Sequence, residues 1–452
     1  MGKNIDIQKI KIFLEENNIE ELKNLVEDLH PNDFKTIAEE LTTEDIIKMF
    51  HLVEDQETIA AYIAELSPEV QSDLLKIMDK KQASEILEEM DTDDAVDILT
   101  EITPEVSREI LNLMPPEEAD GIEELMKYEE NTAGSIMNNE FVALPGHLTA
   151  EQSIQYIREI SPEAEMIYYV YVLDERKKLI GVLSLRDLIV ADPKNKITEI
   201  IEENVISVID TEDQEIVARV ISDYDLLAIP VINKQGIMVG IITVDDIIDV
   251  LEEEVTEDIH KMVGSNEFYE DRLIKASPLQ RAKARLPWLM VCLAGQMFSG
   301  KVIEFYSGIL QMVIALAFFI PIIMDMGGNI GSQSSTITVR GLATGQLRLD
   351  ELWQNVWTET KTGFFIGLLT SMVIFLVTYL WQRNYILSIS IGLSAFITAI
   401  LAATIGTFLP LIFSRFKIDP AIAAGPFITT ISDVINLTIY FSIATILFGY
   451  FR

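Results

Sequence analysis

Apolar positions follow three rhythms along this chain, and the changes of rhythm divide it. From the start to about residue 130 they recur at three and four, as Leu74, Leu75, Ile77 and Met78 do, which is the spacing of short amphipathic helices. Two stretches there are copies of one another: ELSPEVQSDLLKIM (65–78) and EITPEVSREILNLM (101–114) lie 36 residues apart. Each sets an N-cap residue, Ser67 or Thr103, before a proline at the first helical position. Helical-hairpin repeats of this length stack into a solenoid or superhelix. Between 137 and 252 the pattern changes to strand-like runs (167–173, 180–184, 228–232 and 239–243) alternating with helical stretches. Residues 252–285 read as a helical connection. Beyond 286 apolar residues fill five runs, at about 287–305, 309–338, 361–382, 386–413 and 421–449, each near or above the ~20 residues that cross a hydrocarbon core.

The expected architecture is therefore multidomain. An all-α helical-repeat, superhelical N domain (1–130) precedes an α/β tandem pair (131–251, with modules at about 137–200 and 201–251). A connecting helix (252–285) then leads to a five-helix α transmembrane domain (286–452). Trp288, Trp381 and several tyrosines fall near span ends, as interfacial aromatics do, and Trp353 and Trp357 suggest a separate interfacial helix. Lys283, Arg285, Arg340, Arg348, Lys361, Arg415 and Lys417 flank the spans on one side, against Lys301, Arg383 and Arg452 on the other. That bias puts the N-terminal domains in the cytoplasm and the C-terminus outside, in a multi-pass protein of the cell (inner) membrane. MGKNIDIQKI lacks a signal-peptide core, and Asp6 stands where a myristoylation motif wants Ser or Thr. The one cysteine, Cys292, excludes an intramolecular disulfide framework.

Charge sharpens this picture. Of 34 Lys and Arg and 72 Asp and Glu residues, only eight and seven fall in 286–452, so 26 and 65 fall before it. A polyanion of that size concentrates cations and repels nucleic acid. It also repels itself until something neutralises it.

Charge inside a bilayer is costly and marks function. Asp325 and Asp433 are the two candidates. On the last span Pro426, Thr429, Asp433, Asn436 and Tyr440 recur at three and four and form one polar stripe, behind a Gly425-Pro426 break that frees backbone carbonyls. On the second span Pro321 precedes GGNIGSQ (327–333), where small residues permit close approach and Asn329 adds an oxygen donor. With four histidines and one cysteine in the chain, the donors are oxygens, which suit a hard ion such as Mg²⁺; Ca²⁺ and Mn²⁺ stay open on composition. Asp245, Asp246, Asp249, Glu252, Glu253, Glu254, Glu257 and Asp258 crowd one helical stretch, with like charges at i and i+4 that disfavour it. A divalent cation bridging this stretch to another acidic surface, such as Asp91, Asp93, Asp94 and Asp97, would reverse that sign.

Two resemblances follow from these residues. GVLSLRD (181–187) matches GIITVDD (240–246) at a spacing of 59, and the duplicated unit resembles a tandem pair of CBS modules. Within it Tyr169, Ser184, Arg186 and Asp187 match a nucleotide site of the kind some such pairs offer to ATP, and Asp245 in the second copy replaces the phosphate-binding arginine. The whole order of parts, with GGNIGSQSS (327–335) and GPFITTISD (425–433), resembles the MgtE family of magnesium channels. The resemblance implies a homodimer with two copies of Asp433 facing a hydrated Mg²⁺ on the two-fold axis. It further implies that 252–275 is a plug helix that closes the pore when Mg²⁺ is plentiful. By position, Asp225, Asp246, Asp249, Glu254, Glu257 and Asp258 resemble that family's regulatory ligands, and Asp419 resembles the partner of the plug carboxylates. Three rivals stand beside a Mg²⁺-gated Mg²⁺ channel: a Mn²⁺ or Co²⁺ carrier, a non-conducting Mg²⁺ sensor, and an intramembrane diaspartyl hydrolase using Asp325 and Asp433. Against the last, Asp325 lacks a Gly-x-Gly-Asp context.

Overall fold

The computed structural model describes residues 7–16, 18–26, 29–160, 166–264 and 277–450, in two compact units divided between Val250 and Leu251. The first unit opens on ten short helices among its described residues: α1 (Ile7–Glu16), α2 (Ile19–Val26), α3 (Pro31–Ala38), α4 (Thr43–Phe50), α5 (Gln56–Ala64), α6 (Pro68–Ile77), α7 (Lys80–Leu87), α8 (Thr92–Glu101), α9 (Pro104–Leu111) and α10 (Pro116–Leu125). From α2 to α10 each packs on the helix two further along, which is the stacking expected of a helical repeat. The apolar stripes meet in one core, where Phe34 and Tyr62 stack at 4.4 Å and the Tyr62 hydroxyl donates to the Val26 carbonyl at 2.7 Å. Ser67 and Thr103 do occupy N-cap positions, but neither side chain accepts a helix amide. The proline that follows each already fixes φ for the first turn and removes one orphan donor.

Two three-stranded sheets follow. The first has the order β1 (Phe141–Pro145), β2 (Met166–Leu173), β3 (Leu179–Ser184); the second β4 (Val208–Ile209), β5 (Ala228–Ile232), β6 (Met238–Thr243). In each the first pair is parallel and the second antiparallel. Helices α11 (Ala150–Ile160) and α13 (Gln214–Tyr224) make the parallel crossovers, while α12 (Leu185–Val190) and α14 (Val244–Val263) leave the last strands. The segment entering each module pairs with the other module's final strand: Asn138 exchanges two 2.8 Å backbone bonds with Ile241, and Glu202 pairs with Val182. This exchange accounts for the glycine that opens both copies of the repeated motif. A Cβ on Gly240 would come within 2.7 Å of the Asn138 carbonyl, and one on Gly181 within 2.5 Å of Ile201.

The second unit holds α15 (Pro278–Phe305), α16 (Ser307–Met312), α17 (Ile320–Ala343), α18 (Leu352–Gln382), α19 (Tyr385–Arg415) and α20 (Gly425–Tyr450). Five helical segments among the described residues are long and apolar enough to cross a membrane. Helix α19 is the most buried and packs on α17, α18 and α20, while α15 is the least buried and packs on α20. Gly406 of α19 lies so close to α17 that a Cβ there would stand 2.4 Å from the Gly331 carbonyl.

Three expectations need correction. The second span is not one helix over 309–338: the chain turns at Val313 (φ −135°, ψ 80°), runs as a 3₁₀ segment over Ile314–Phe319, and restarts at α17 with Pro321 in its first turn. A proline there has no amide to continue the preceding turn. The carbonyl of Leu316 in that segment accepts from the Tyr440 hydroxyl at 2.8 Å, so Tyr440 is a buried strut of this bend and not part of an open polar face. Trp353 and Trp357 lie on the first turns of the continuous helix α18, not on a separate one. No glycine or proline interrupts 352–361, and Thr358 and Thr360 fold back on carbonyls four residues earlier. The connecting helix, finally, starts at Val244, directly after β6, and ends at Val263; the expected plug residues 265–275 lie outside the described residues.

Candidate functional site

The polar face of α20 is set by its start. Asp419 caps a 3₁₀ turn (Pro420–Ala423) by accepting the Ala421 amide at 2.7 Å, and Gly425 then takes φ +50° to open α20. Two turns on, Asp433 is 8 % exposed, and its Oδ2 accepts from Gln296 Nε2 at 2.6 Å. Gln296 weakens the first span by composition, yet it is the residue that holds this carboxylate. Asn436 is buried, and its Nδ2 has no hydrogen-bond partner among the described residues. It nests against Gly327, where a Cβ would come within 1.9 Å of it. Thr429 is half-buried, stands beside Gly328, and donates to the Pro426 carbonyl at 3.0 Å.

Asp325 and Asn329 share an exposed face of α17, one turn apart. At 3.6 residues per turn, Asn329 lies about 200° around α17 from Gly327, away from α20. The chain therefore groups Thr429, Asp433 and Asn436 and leaves Asn329 on a different face. A further carboxylate escaped the sequence reading. Glu359, counted there outside the third span, is a half-buried member of α18 and accepts from Ser334 Oγ of α17 at 2.8 Å. Its signal was position 359 on an uninterrupted helical run.

In the first unit α8 and the start of α14 bring acidic side chains together. Burial pushes the Asp94 carboxyl up to about 7, and Asp91, Asp246, Asp97 and Glu65 add repulsion. Burial likewise raises Asp246 to about 6 against the Thr243 hydrogen bond that favours its ionised form, with Asp245 and Asp91 adding to the rise. Asp91 is raised by burial and by Asp245. Among the described residues, no three His, Cys, Asp or Glu side chains converge closely enough to chelate an ion as they stand. What exists is an all-oxygen set in which ionised carboxylates are crowded and penalised, which is the chemistry a hard divalent cation relieves. Asp225, left-handed at φ 51° as the C-cap of α13, and Asp249 are both exposed.

The far end of α14 carries Glu254, Glu257 and Asp258, all half-buried. Glu257 pairs with Lys261, and Lys261 Nζ also lies 2.7 Å from Asp419 Oδ2. The expected meeting of plug carboxylates with Asp419 is thus made here by a lysine, which the sequence reading did not single out.

In the first sheet Tyr169 is the register partner of Ser184. Ser184 caps α12, accepting the Asp187 amide at 3.1 Å, while its hydroxyl donates to Asp187 Oδ2 at 2.6 Å. Arg186 and Asp187 are exposed on the same turn. The four residues thus cluster where a strand passes into a helix.

Known proteins resemble this chain along most of its length. A family profile described as divalent cation transporter, MgtE, matches residues 320–443; the MgtE intracellular N domain matches 29–131; and the CBS domain matches 133–194 and 197–253. The magnesium transporter MgtE of Bacillus subtilis (strain 168) is 40% identical over 70% of this chain and 70% of its own length. That of Thermus thermophilus is 40% identical over 71% of each. Among solved structures, the cytosolic domain of the Mg²⁺ channel MgtE in complex with ATP is 38% identical, with a TM-score of 0.52, covering 54% of this chain and 99% of that one. The soluble part of a magnesium transporter is 37% identical, with a TM-score of 0.51, covering 55% and 97%.

Proposed function

This chain belongs to the MgtE family of divalent cation transporters, and from that premise we propose that it is a Mg²⁺-selective channel gated by cytosolic Mg²⁺. The observation that carries the reading is Asp433: an ionisable side chain buried in the last span, beside an Asn436 amide without a partner among the described residues. A group so costly to keep in a membrane is kept for an ion. Mg²⁺ gives up water reluctantly, so Thr429, Asp433 and Asn436 would face its coordinated waters rather than strip them. In a homodimer with the conduit on the two-fold axis, the exposed Asp325–Asn329 face of α17 gains a role it lacks in one chain.

The proposed division of labour follows the four regions. The helical-repeat domain and the CBS pair sense, α14 transmits, and the membrane domain conducts. At low cytosolic Mg²⁺ the ionised Asp91, Asp94 and Asp246 repel and favour separation of α8 from α14. Mg²⁺ bridging among these carboxylates and Asp225, Asp249, Glu254, Glu257, Asp258 and Asp419 favours the packed, closed arrangement. Moving such a switch from 1:99 to 99:1 takes about 5.5 kcal/mol of differential binding, which asks for several sites acting together. When the conduit is open, the membrane potential drives entry at about 2.3 kcal/mol per elementary charge per 100 mV. ATP at Tyr169, Ser184, Arg186 and Asp187 is proposed as a second ligand, supported by the ATP complex of a related cytosolic domain.

Mg²⁺ flux into liposomes carrying the full chain tests this reading. We expect flux in the wild type, a drop of at least about tenfold in Asp433→Asn, and weak competition by Mn²⁺ and Co²⁺. Equal flux in Asp433→Asn sinks the pore assignment, and preferential Mn²⁺ or Co²⁺ uptake favours the carrier rival. The relatives are transporters by name, and we propose no enzymatic step.

A further inference from the structure

One ammonium group fastens the last turns of α14 to the start of α20. Lys261 Nζ pairs with Glu257 on its own helix and lies 2.7 Å from Asp419 Oδ2 on the turn that leads into α20. The side chains of Lys261, Glu257 and Asp419 are only 18%, 26% and 29% exposed. That shielding makes these charge-assisted bonds stronger than an open surface pair. The contacts around them are close. Met262 packs on Val339, Ala421 and Ala424, and its carbonyl stands 1.8 Å from where a Cβ on Gly425 would be. A Cβ on Gly264 would run into the ring of Trp288. The other oxygen of Asp419 caps the turn before α20, so the clasp acts on the element that positions Asp433.

We infer that Lys261 is a tethered cation: it holds the end of α14 against the start of α20 without metal, and it competes with divalent cations for Glu257 and Asp419. The inference rests on the channel reading and specifies its regulation. A lysine between two carboxylates does the electrostatic work of a bridging ion, but with one charge, so one negative charge stays uncompensated. The docked arrangement therefore has a metal-independent floor, and Mg²⁺ adds to that floor rather than creating it. With Lys261 removed, the two carboxylates repel, the end of α14 undocks in chelator, and docking becomes wholly Mg²⁺-dependent.

The test uses the full chain with Lys261→Met, which keeps most of the apolar stem, and Lys261→Arg, which keeps the charge. Two readouts are taken, in chelator and in millimolar Mg²⁺: Mg²⁺ flux in liposomes, and amide hydrogen exchange over residues 256–264. Lys261→Met should raise chelator flux and speed exchange about fivefold, the effect of losing about 1 kcal/mol of ion pairing. Millimolar Mg²⁺ should bring both back, and Lys261→Arg should follow the wild type. Wild-type exchange and flux in Lys261→Met overturn the inference, and so does a Lys261→Arg variant that behaves like Lys261→Met. If the wild type passes no Mg²⁺, the channel reading fails; the exchange measurement still decides whether the lysine clasp exists.

Discussion

Asp94 offers the sharpest quantitative handle on the sensor. Its carboxyl sits at about 7 in the packed structure, against an ordinary aspartate value of 3.8. At about 1.4 kcal/mol per tenfold, keeping it ionised there costs at most about 4 kcal/mol, of which parting α8 from α14 relieves the share owed to Asp246 and to any burial that α14 provides. The sign follows directly. Below the ordinary value the group is protonated whether α8 and α14 are packed or apart, and the packing carries no penalty. As pH rises towards 7 the packed form holds a proton the open form has lost, so the packed form weakens steadily; above 7 the full penalty applies. Asp246, raised to about 6, behaves the same way over a lower range. The two costs share their mutual repulsion and do not add. Protons and Mg²⁺ are thus alternative ways of relieving one strain. Hydrogen exchange of residues 91–97 and 243–249 in the detergent-solubilised full chain, corrected for intrinsic rates, reads the packing locally. At pH 8, Mg²⁺ in place of chelator should slow exchange strongly; at pH 5 the same change should do little. Asp94→Asn at pH 8 in chelator should already be protected, by up to about a thousandfold for 4 kcal/mol, with a much reduced Mg²⁺ response. A Mg²⁺ response of equal size at both pH values, or an Asp94→Asn variant that exchanges like wild type in chelator, refutes the reasoning.

Three further outcomes follow. Neutralising Asp249, Glu254 and Glu257 together, which removes proposed metal ligands without relieving the strain at Asp94 and Asp246, should leave the conduit conducting at millimolar cytosolic Mg²⁺; patch currents that shut off normally in that variant remove the sensor assignment. Gly406→Val should destabilise the membrane unit by about 1–3 kcal/mol or more, because any side chain there meets the Gly331 backbone carbonyl, which cannot swing aside; melting of the detergent-solubilised protein measures it. Arg186→Ala should weaken ATP binding measured by calorimetry without lowering the melting point, since Arg186 is exposed, whereas Ser184→Ala should do both, because loss of the α12 cap costs about 1 kcal/mol.

Much of the fold could be read directly, because each signal was local and repeated. The copies GVLSLRD and GIITVDD run from β3 and β6 into α12 and α14, and five apolar helical segments are long enough to span. Breaks were harder to place. Proline at 321 announces a boundary, but the turn falls at Val313, just before the buried carbonyl of Leu316 that finds Tyr440 124 residues away. No window of sequence contains both. The candidate site divides the same way. Asp433 stood out because a charge in an apolar run is conspicuous on its own. Its partner Gln296 carries no such signal, since its role exists only once α15 packs on α20. Lys261 was one base at the end of an acidic helix, and only its distance to Asp419 makes it a clasp. Part of the rise at Asp91 and Asp94 likewise comes from Asp245 and Asp246, about 150 residues away in sequence.

Currents through excised inside-out patches containing the full chain bear most directly on the central claim, because the cytosolic face can be stepped between chelator and millimolar Mg²⁺ while the conduit is watched. We predict divalent current in chelator that falls reversibly as Mg²⁺ is raised; in Asp94→Asn the current is already reduced in chelator and responds less to Mg²⁺. A current indifferent to cytosolic Mg²⁺, or silence in chelator, contradicts the account.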